Sequence, residues 1–249
     1  MSIIDTFDPV SADIIDPAKT HPPVEGFPER LLVCFTYKFA ELIIRNTNAQ
    51  EIDVLKGGRN IPIYKCEYKG QTFAFYHTLL GGAATVGLLE EAFAKGAKKA
   101  LFFGSCGSLD ENLTAGKLIV PTAAYRDEGA SYHYAPPSDY IEIPTAQRLC
   151  DIFDDLRVPY AKTKTWTTDA IYRETEDNMQ RRKAEGCGTV EMECASIMAL
   201  AQFRKKEVYQ FLYAADSLIG EWDRRILGLM PDDLRESIMI IALETVIKL

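Results

Sequence analysis

Short apolar runs alternate with helical patterns along almost the whole chain, and that alternation restricts the fold more than any other feature. Residues 30–35 (RLLVCF) are apolar enough for a buried strand, and 37–45 follow with Phe39, Leu42 and Ile43 on one helical face. Residues 61–68 and 72–79, joined through Lys69-Gly70, have the pattern of a hairpin. After Gly81-Gly82, residues 84–94 read as an amphipathic helix. Residues 99–103, 117–124, 160–166 and 207–214 read as further strands. Residues 146–156, 177–184, 194–204 and 231–249 read as helices, the last with Pro231 near its first turn. Strands interleaved with helices predict an α/β fold, and the hairpin requires a mixed rather than a wholly parallel sheet. No repeat or low-complexity linker divides residues 29–249, which read as one domain. Residues 1–28 carry Pro9, Pro17, Pro22, Pro23 and Pro28 among polar residues and read as an irregular N-terminal arm.

Three stretches could carry chemistry. Val190-Glu191-Met192-Glu193 places two carboxylates two residues apart, just before the apolar run 195–201. If 190–193 are extended, both carboxylates point to one face, and Glu193 stands where a strand gives way to a helix, beside N-terminal amides that suit a polar ligand. Gly104-Ser105-Cys106-Gly107 follows a strand. Its two glycines predict a sharp turn that exposes amides to an anion, with the Ser105 hydroxyl as a further donor. Asp216 follows the strand 207–214, as a helix N-cap or as a functional carboxylate. Gly104, Glu193 and Asp216 all fall near C-terminal strand ends, where open α/β sheets bind ligands. Each has a plainer reading: an ordinary tight turn, solvated charges, a cap.

Composition narrows the classes. A formal net charge of −8 argues against a nucleic-acid partner. The six cysteines form no CxxC pair and several lie in apolar runs, which predicts reduced, buried thiols in a reducing compartment. The N-terminus lacks a signal-peptide core and no apolar stretch is long enough to span a bilayer, so the expected location is cytoplasmic. None of the three histidines has metal-ligand spacing to another histidine or a cysteine.

Taken in order, Gly104-Ser105-Cys106-Gly107, Thr168-Asp169-Ala170-Ile171-Tyr172, Val190-Glu191-Met192-Glu193 and Ala215-Asp216-Ser217 resemble the family of hexameric purine nucleoside phosphorylases, uridine phosphorylases and methylthioadenosine/S-adenosylhomocysteine nucleosidases, from about Arg30 onward. The resemblance implies a three-layer αβα sandwich around a twisted mixed β-sheet, with 29–249 as a single nucleoside phosphorylase-like catalytic domain. It implies that Glu193 accepts from the ribose 2′- and 3′-hydroxyls, with Met192 packed on the sugar. Glu191 would contact substrate or brace the loop. Ile171 and Tyr172 would line the base pocket and Leu80 would contact substrate. His21, from a neighbouring subunit, would reach the ribose 5′-hydroxyl. Gly104, Ser105, Cys106 and Gly107 would hold phosphate. Asp216 would protonate N7 of a departing purine, positioned by Arg224 or Arg225. His133, in the stretch 126–134, is implied to be structural or a subunit contact.

The chain departs from that pattern at the phosphate site. Phosphorylases of the family carry a Gly-Asp-Pro-x-Arg motif after the first strand, where this chain has Cys34-Phe35-Thr36-Tyr37-Lys38, leaving Lys38 as a point charge. A second arginine position holds Phe102. A third, donated by a neighbouring subunit, falls on Arg59 by spacing. The Gln-x-Arg insertion of pyrimidine-specific members is missing between Tyr172 and Glu191, which favours a purine. The expected activity is therefore phosphorolysis of a nucleoside, giving free base and ribose 1-phosphate, with phosphate as co-substrate and neither metal nor organic cofactor. The alternatives are hydrolysis of the same bond by water and a non-catalytic nucleoside-binding protein. The expected assembly is a homo-oligomer, a dimer or a hexamer built as a trimer of dimers.

Overall fold

The computed structural model describes residues 2–57 and 59–249. The arm holds a 3-10 turn (Ile3–Asp5) and the short helix α1 (Pro17–Thr20), capped by the Asp16 side chain on Ala18 N. It packs on its own subunit: His21 Nε2 lies 3.4 Å from a Glu91 carboxylate oxygen, Asp13 pairs with Arg204 at 2.9 Å, and the Phe7 and Phe203 rings meet edge-on.

The main body runs β1 (Arg30–Cys34), α2 (Tyr37–Asn46), β2 (Gln50–Leu55), β3 (Ile61–Tyr68), β4 (Gln71–His77), α3 (Gly82–Lys95), β5 (Lys99–Ser108), β6 (Leu118–Asp127), β7 (Tyr140–Glu142), α4 (Ala146–Asp155), β8 (Tyr160–Thr168), α5 (Glu176–Ala184), β9 (Cys187–Glu191), α6 (Cys194–Phe203), β10 (Glu207–Ser217) and α7 (Asp232–Val246). Spacing placed most of these. Phe39, Ala40 and Ile43 form the buried face of α2. The charged α5 carries Glu176 and Asp177 in its first turn and Arg181, Arg182 and Lys183 in its last, as the helix dipole favours. Periodicity missed β2, whose residues are mostly exposed or half-buried at the sheet edge, where charges are usual.

The strands form one ten-stranded mixed sheet, with helices flanking it. β5 is its hub. It pairs in parallel with β1 and β10 and, at Gly107–Val190 and Ser108–Thr189, antiparallel with β9. The pairings of β5, β10, β6, β8 and β9 close a ring, because β10 also meets β6 antiparallel and β6, β8 and β9 lie side by side. That closure brings the ends of β5, β9 and β10 to one mouth. The core beneath it is aromatic: the Phe103 and Phe211 rings stack at 5.4 Å and Phe39 meets Phe103 edge-on at 5.0 Å.

Two sequence expectations need correction here. Gly104-Ser105-Cys106-Gly107 is not a turn, because β5 runs on through all four residues and neither glycine has a positive φ. The glycines serve close approach: a Cβ on Gly104 would sit 2.8 Å from Phe35 Cδ2, and one on Gly107 2.5 Å from Leu218 Cδ1. Likewise Asp216 lies inside β10, not beyond it, so it is no helix cap. The register against β5 shifts between Ala214 and Asp216, a bulge that re-aims the side chain.

Candidate active site

The mouth of the ring opens on a cavity of about 790 Å³. Gly104 to Gly107 of β5 form one wall, the β9–α6 junction from Glu191 to Cys194 another, and Asp216 of β10 a third. Leu80, Ile171, Tyr172 and Trp222 also line it. The sequence placed these motifs far apart, and ring closure brings them together.

The two glutamates of the junction do different work. Glu191 ends β9, but Met192 turns the chain and Glu193 has φ −140° and ψ −27°, so the pair does not share one strand face. The fully buried Glu191 folds back on the helix start. Its Oε2 accepts from the amides of Glu193 and Cys194, each at 2.7 Å, and its Oε1 from Thr167 Oγ1 at 2.5 Å. It caps α6 and braces the junction, so both oxygens are taken before any ligand arrives. Of its two sequence readings, bracing is the one the hydrogen bonds describe. Burial pushes its carboxyl up, opposed by the donors around it.

Glu193 is free for more. It is 8% exposed, and Oε1 accepts from Gly81 N at 2.7 Å. Burial, then the Glu191 charge, push its carboxyl up to about 8. The donor amide depends on two glycines. Gly81 has φ +91°, and a Cβ on Gly82 would fall 2.1 Å from Ser196 Oγ, so the turn can lie against α6 only without side chains.

Asp216 is half-buried and accepts from Trp222 Nε1 at 2.8 Å through Oδ2. Burial raises its carboxyl; the Trp222 bond and the Arg225 charge act the other way. Arg224 does not touch it: its Nε donates to Leu227 O at 2.8 Å from an exposed position. Arg225 donates to Leu113 O at 2.7 Å. Trp222, six residues after Asp216, holds the aspartate where sequence reasoning expected an arginine.

The expected phosphate cations are elsewhere. Lys38 is exposed on the first turn of α2 and Arg59 is exposed between β2 and β3, and neither lines the cavity of its own subunit. His21 sits against Glu91, likewise away from it. At the β5 wall stand Phe35 and Phe102, ring centroids 6.2 Å apart. Among the described residues no lysine, arginine or histidine lines the cavity, and its charged side chains are Glu174, Glu176, Glu191, Glu193 and Asp216. Ser105 is exposed to the cavity. The Cys106 thiol is buried, hydrogen-bonds Tyr213 O, and is pushed well up by burial, so it is inert. Glu174, half-buried after the 3-10 turn Ile171–Arg173, was not foreseen; nothing in its sequence neighbourhood marks it.

The sequence profile of the phosphorylase superfamily matches residues 29–235. The chain belongs to the phosphorylase superfamily. Within that superfamily it is 28% identical to the purine nucleoside phosphorylase of Plasmodium vivax over 193 residues, 74% of this chain and 78% of that protein. It is 33% identical to the uridine phosphorylase of Thermococcus kodakarensis over 110 residues, 43% of this chain and 39% of that protein. Its fold superposes on a purine nucleoside phosphorylase from Toxoplasma gondii in complex with immucillin-H with a TM-score of 0.77, at 19% identity, covering 96% of this chain and 98% of that one. The superfamily's αβα architecture therefore holds here. Among the described residues no three side chains converge as a metal site, and no helix is long and apolar enough to cross a membrane.

Proposed function

We propose that this protein cleaves the N-glycosidic bond of a purine nucleoside, with phosphate as the attacking group. The observation that carries the reading is the meeting of Ser105, Glu193 and Asp216 around one cavity whose size suits a nucleoside. The ribose lies over Met192 with its 2′- and 3′-hydroxyls on Glu193. Phosphate, beside Ser105 and the β5 backbone, attacks C1′ from the face opposite the base. Asp216 donates a proton to N7 as the C1′–N9 bond breaks, so a neutral base leaves with the bonding electrons. Products are free base and ribose 1-phosphate. Asp216 and the absence of a Gln-x-Arg insertion support a purine over a pyrimidine.

The cation-free lining favours a second reading, in which water is the nucleophile and the product is free ribose. A charged hydrogen bond is worth about 1.5–3 kcal/mol, so the aromatic residues at the β5 wall weaken phosphate by at least tenfold per lost contact. The expected result is phosphate-dependent base release with a high phosphate KM, raised further in Ser105→Ala and Arg59→Ala. Base release at one rate with and without phosphate, with ribose as product, overturns phosphorolysis and establishes hydrolysis. Binding of nucleosides with no base release leaves a binding protein.

Assembly belongs to the same proposal. Leu80, Ile171, Tyr172 and Trp222 are 69%, 50%, 96% and 60% exposed at the cavity mouth, apolar surface that a second subunit can cover while bringing a cation such as Arg59. Sedimentation at micromolar protein is expected to show dimers or larger. A monomer that retains full activity excludes a shared site.

A further inference from the structure

Behind the sugar side of the cavity, the stretch 126–134 buries a carboxyl that stands outside the cavity lining. Glu128, one residue past the end of β6, is 7% exposed, and its Oε2 accepts from Ser131 N at 3.0 Å and from the Ser196 hydroxyl. Ser131 Oγ in turn accepts from Arg126 Nε at 2.8 Å, so a buried cation stands at the far end of the chain of donors. Glu128 Oε1 is buried with no hydrogen-bond partner among the described residues. A buried carboxyl with one oxygen unpartnered is not the side chain that stability alone selects. What its other oxygen holds is therefore the informative contact.

That contact is Ser196, in the first turn of α6 and three residues after Glu193. Ser196 lies against the start of α3: a Cβ on Gly82 would fall 2.1 Å from Ser196 Oγ, 2.8 Å from Ser196 Cβ and 3.6 Å from Glu128 Oε2. The neighbouring Gly81 donates its amide to Glu193 Oε1 at 2.7 Å. The contacts close a circuit from Glu193 to Gly81, along the chain to Gly82, across to Ser196 and back through α6 to Glu193. Glu128 pins that circuit from a third element, β6. A carboxyl group is planar, so Oε1 held on Gly81 N sets the direction of Glu193 Oε2, the oxygen left for a ligand. Released from Glu128, the Ser196 hydroxyl would turn to the Glu193 carbonyl three residues back, as serines in helices do, and the seat of Gly82 would loosen.

We propose that Glu128 is a positioning residue of the sugar site: through Ser196 and Gly82 it holds the Gly81 amide on Glu193, and so sets a preference for ribose over 2′-deoxyribose. This rests on the glycosidic cleavage proposed above and adds no chemical step to it. Accepting from two vicinal hydroxyls needs both Glu193 oxygens in fixed places. A small rotation of the carboxyl forfeits one of the two hydroxyls. A 2′-deoxynucleoside has one fewer to offer and loses less. These contacts form in the ground state as well as in the transition state, so the loss falls on KM more than on kcat.

The test uses the full chain and measures base release from adenosine, inosine and their 2′-deoxy counterparts. The parent is expected to favour the ribonucleosides at least about tenfold in kcat/KM. Ser196→Ala removes the hydroxyl alone, and Glu128→Leu removes the acceptor at similar volume. Each variant, folded as judged by its melting curve, is expected to raise the ribonucleoside KM about tenfold with little change in kcat, and to lower the ribose preference by about the same factor. Glu128→Gln keeps an acceptor for Ser196 and Ser131 and is expected to behave as the parent. A general loosening of the fold lowers activity on both sugars alike, so an unchanged ribose preference in folded Ser196→Ala and Glu128→Leu overturns the proposal. A parent indifferent to the 2′-hydroxyl overturns it too, while leaving cleavage intact. Base release from none of these nucleosides overturns the cleavage reading and this proposal with it.

Discussion

Asp216→Asn is expected to lower kcat on purine nucleosides by about 10²–10⁴-fold, the range in which a positioned general acid contributes. The asparagine keeps the shape and can still accept from Trp222 Nε1, so the bulge in β10 that aims residue 216 should survive. What goes is the acid proton that the proposed step passes to N7. The contrast between leaving groups is the decisive measurement. A nitrophenyl riboside, if turned over by the parent, leaves without protonation and should lose least. Equal losses on both substrates would make Asp216 a structural residue of the bulge.

Glu193→Gln is expected to move activity and stability in opposite directions. Its two carboxyl oxygens can accept from vicinal ribose hydroxyls, whereas glutamine has one acceptor oxygen, and a buried donor left unsatisfied costs about 1–3 kcal/mol, so kcat/KM should fall about ten- to hundredfold. Stability follows from the proton. Burial and Glu191 raise the Glu193 carboxyl from its usual 4.5 to about 8 in the folded protein. Between those values the folded state holds a proton that the unfolded chain has released, so the group's contribution is full below about 4.5 and is lost as pH rises to about 8. Above that the folded protein carries a buried charge next to Glu191. Glutamine never ionises and can still accept from Gly81 N. The melting temperature of Glu193→Gln should therefore rise relative to the parent as pH increases from 5 to 9. Parallel melting curves across that interval, or unchanged kinetics in the folded variant, would remove Glu193 from the role assigned to it.

Both expectations depend on features that the sequence displayed unevenly. Local pattern carried the alternation of strands and helices, because burial on one face leaves a period of two or of 3.6 in the chain itself. It carried the hairpin of β3 and β4 through Lys69-Gly70, and the place of Glu193 at a strand-to-helix junction. It also carried Phe102 at a position where the resemblance implies a phosphate-binding arginine, since that is a matter of residue identity.

Partners across space were not legible. Gly104 to Gly107 looked like a turn because glycine permits one, yet β10 and β9 pair with that segment and draw it straight into β5, and only the neighbours Phe35 and Leu218 show why a side chain is excluded. Asp216 stood open between a helix cap and a functional carboxylate because the apolar run ended before it, but pairing with β5 extends the strand and a bulge interrupts the register at that residue. Two glutamates in one motif looked equivalent until the turn at Met192 sent Glu191 back to the amides of α6 and left Glu193 facing the cavity. Glu174 carries no local mark at all. Periodicity and residue type report how each segment meets its immediate surroundings, so the chain by itself determined the α/β class and most of the side chains available for chemistry. The closure of β5, β10, β6, β8 and β9 into a ring is a sum of long-range pairings, and it alone decided which carboxylates share a cavity and which are spent on holding it together.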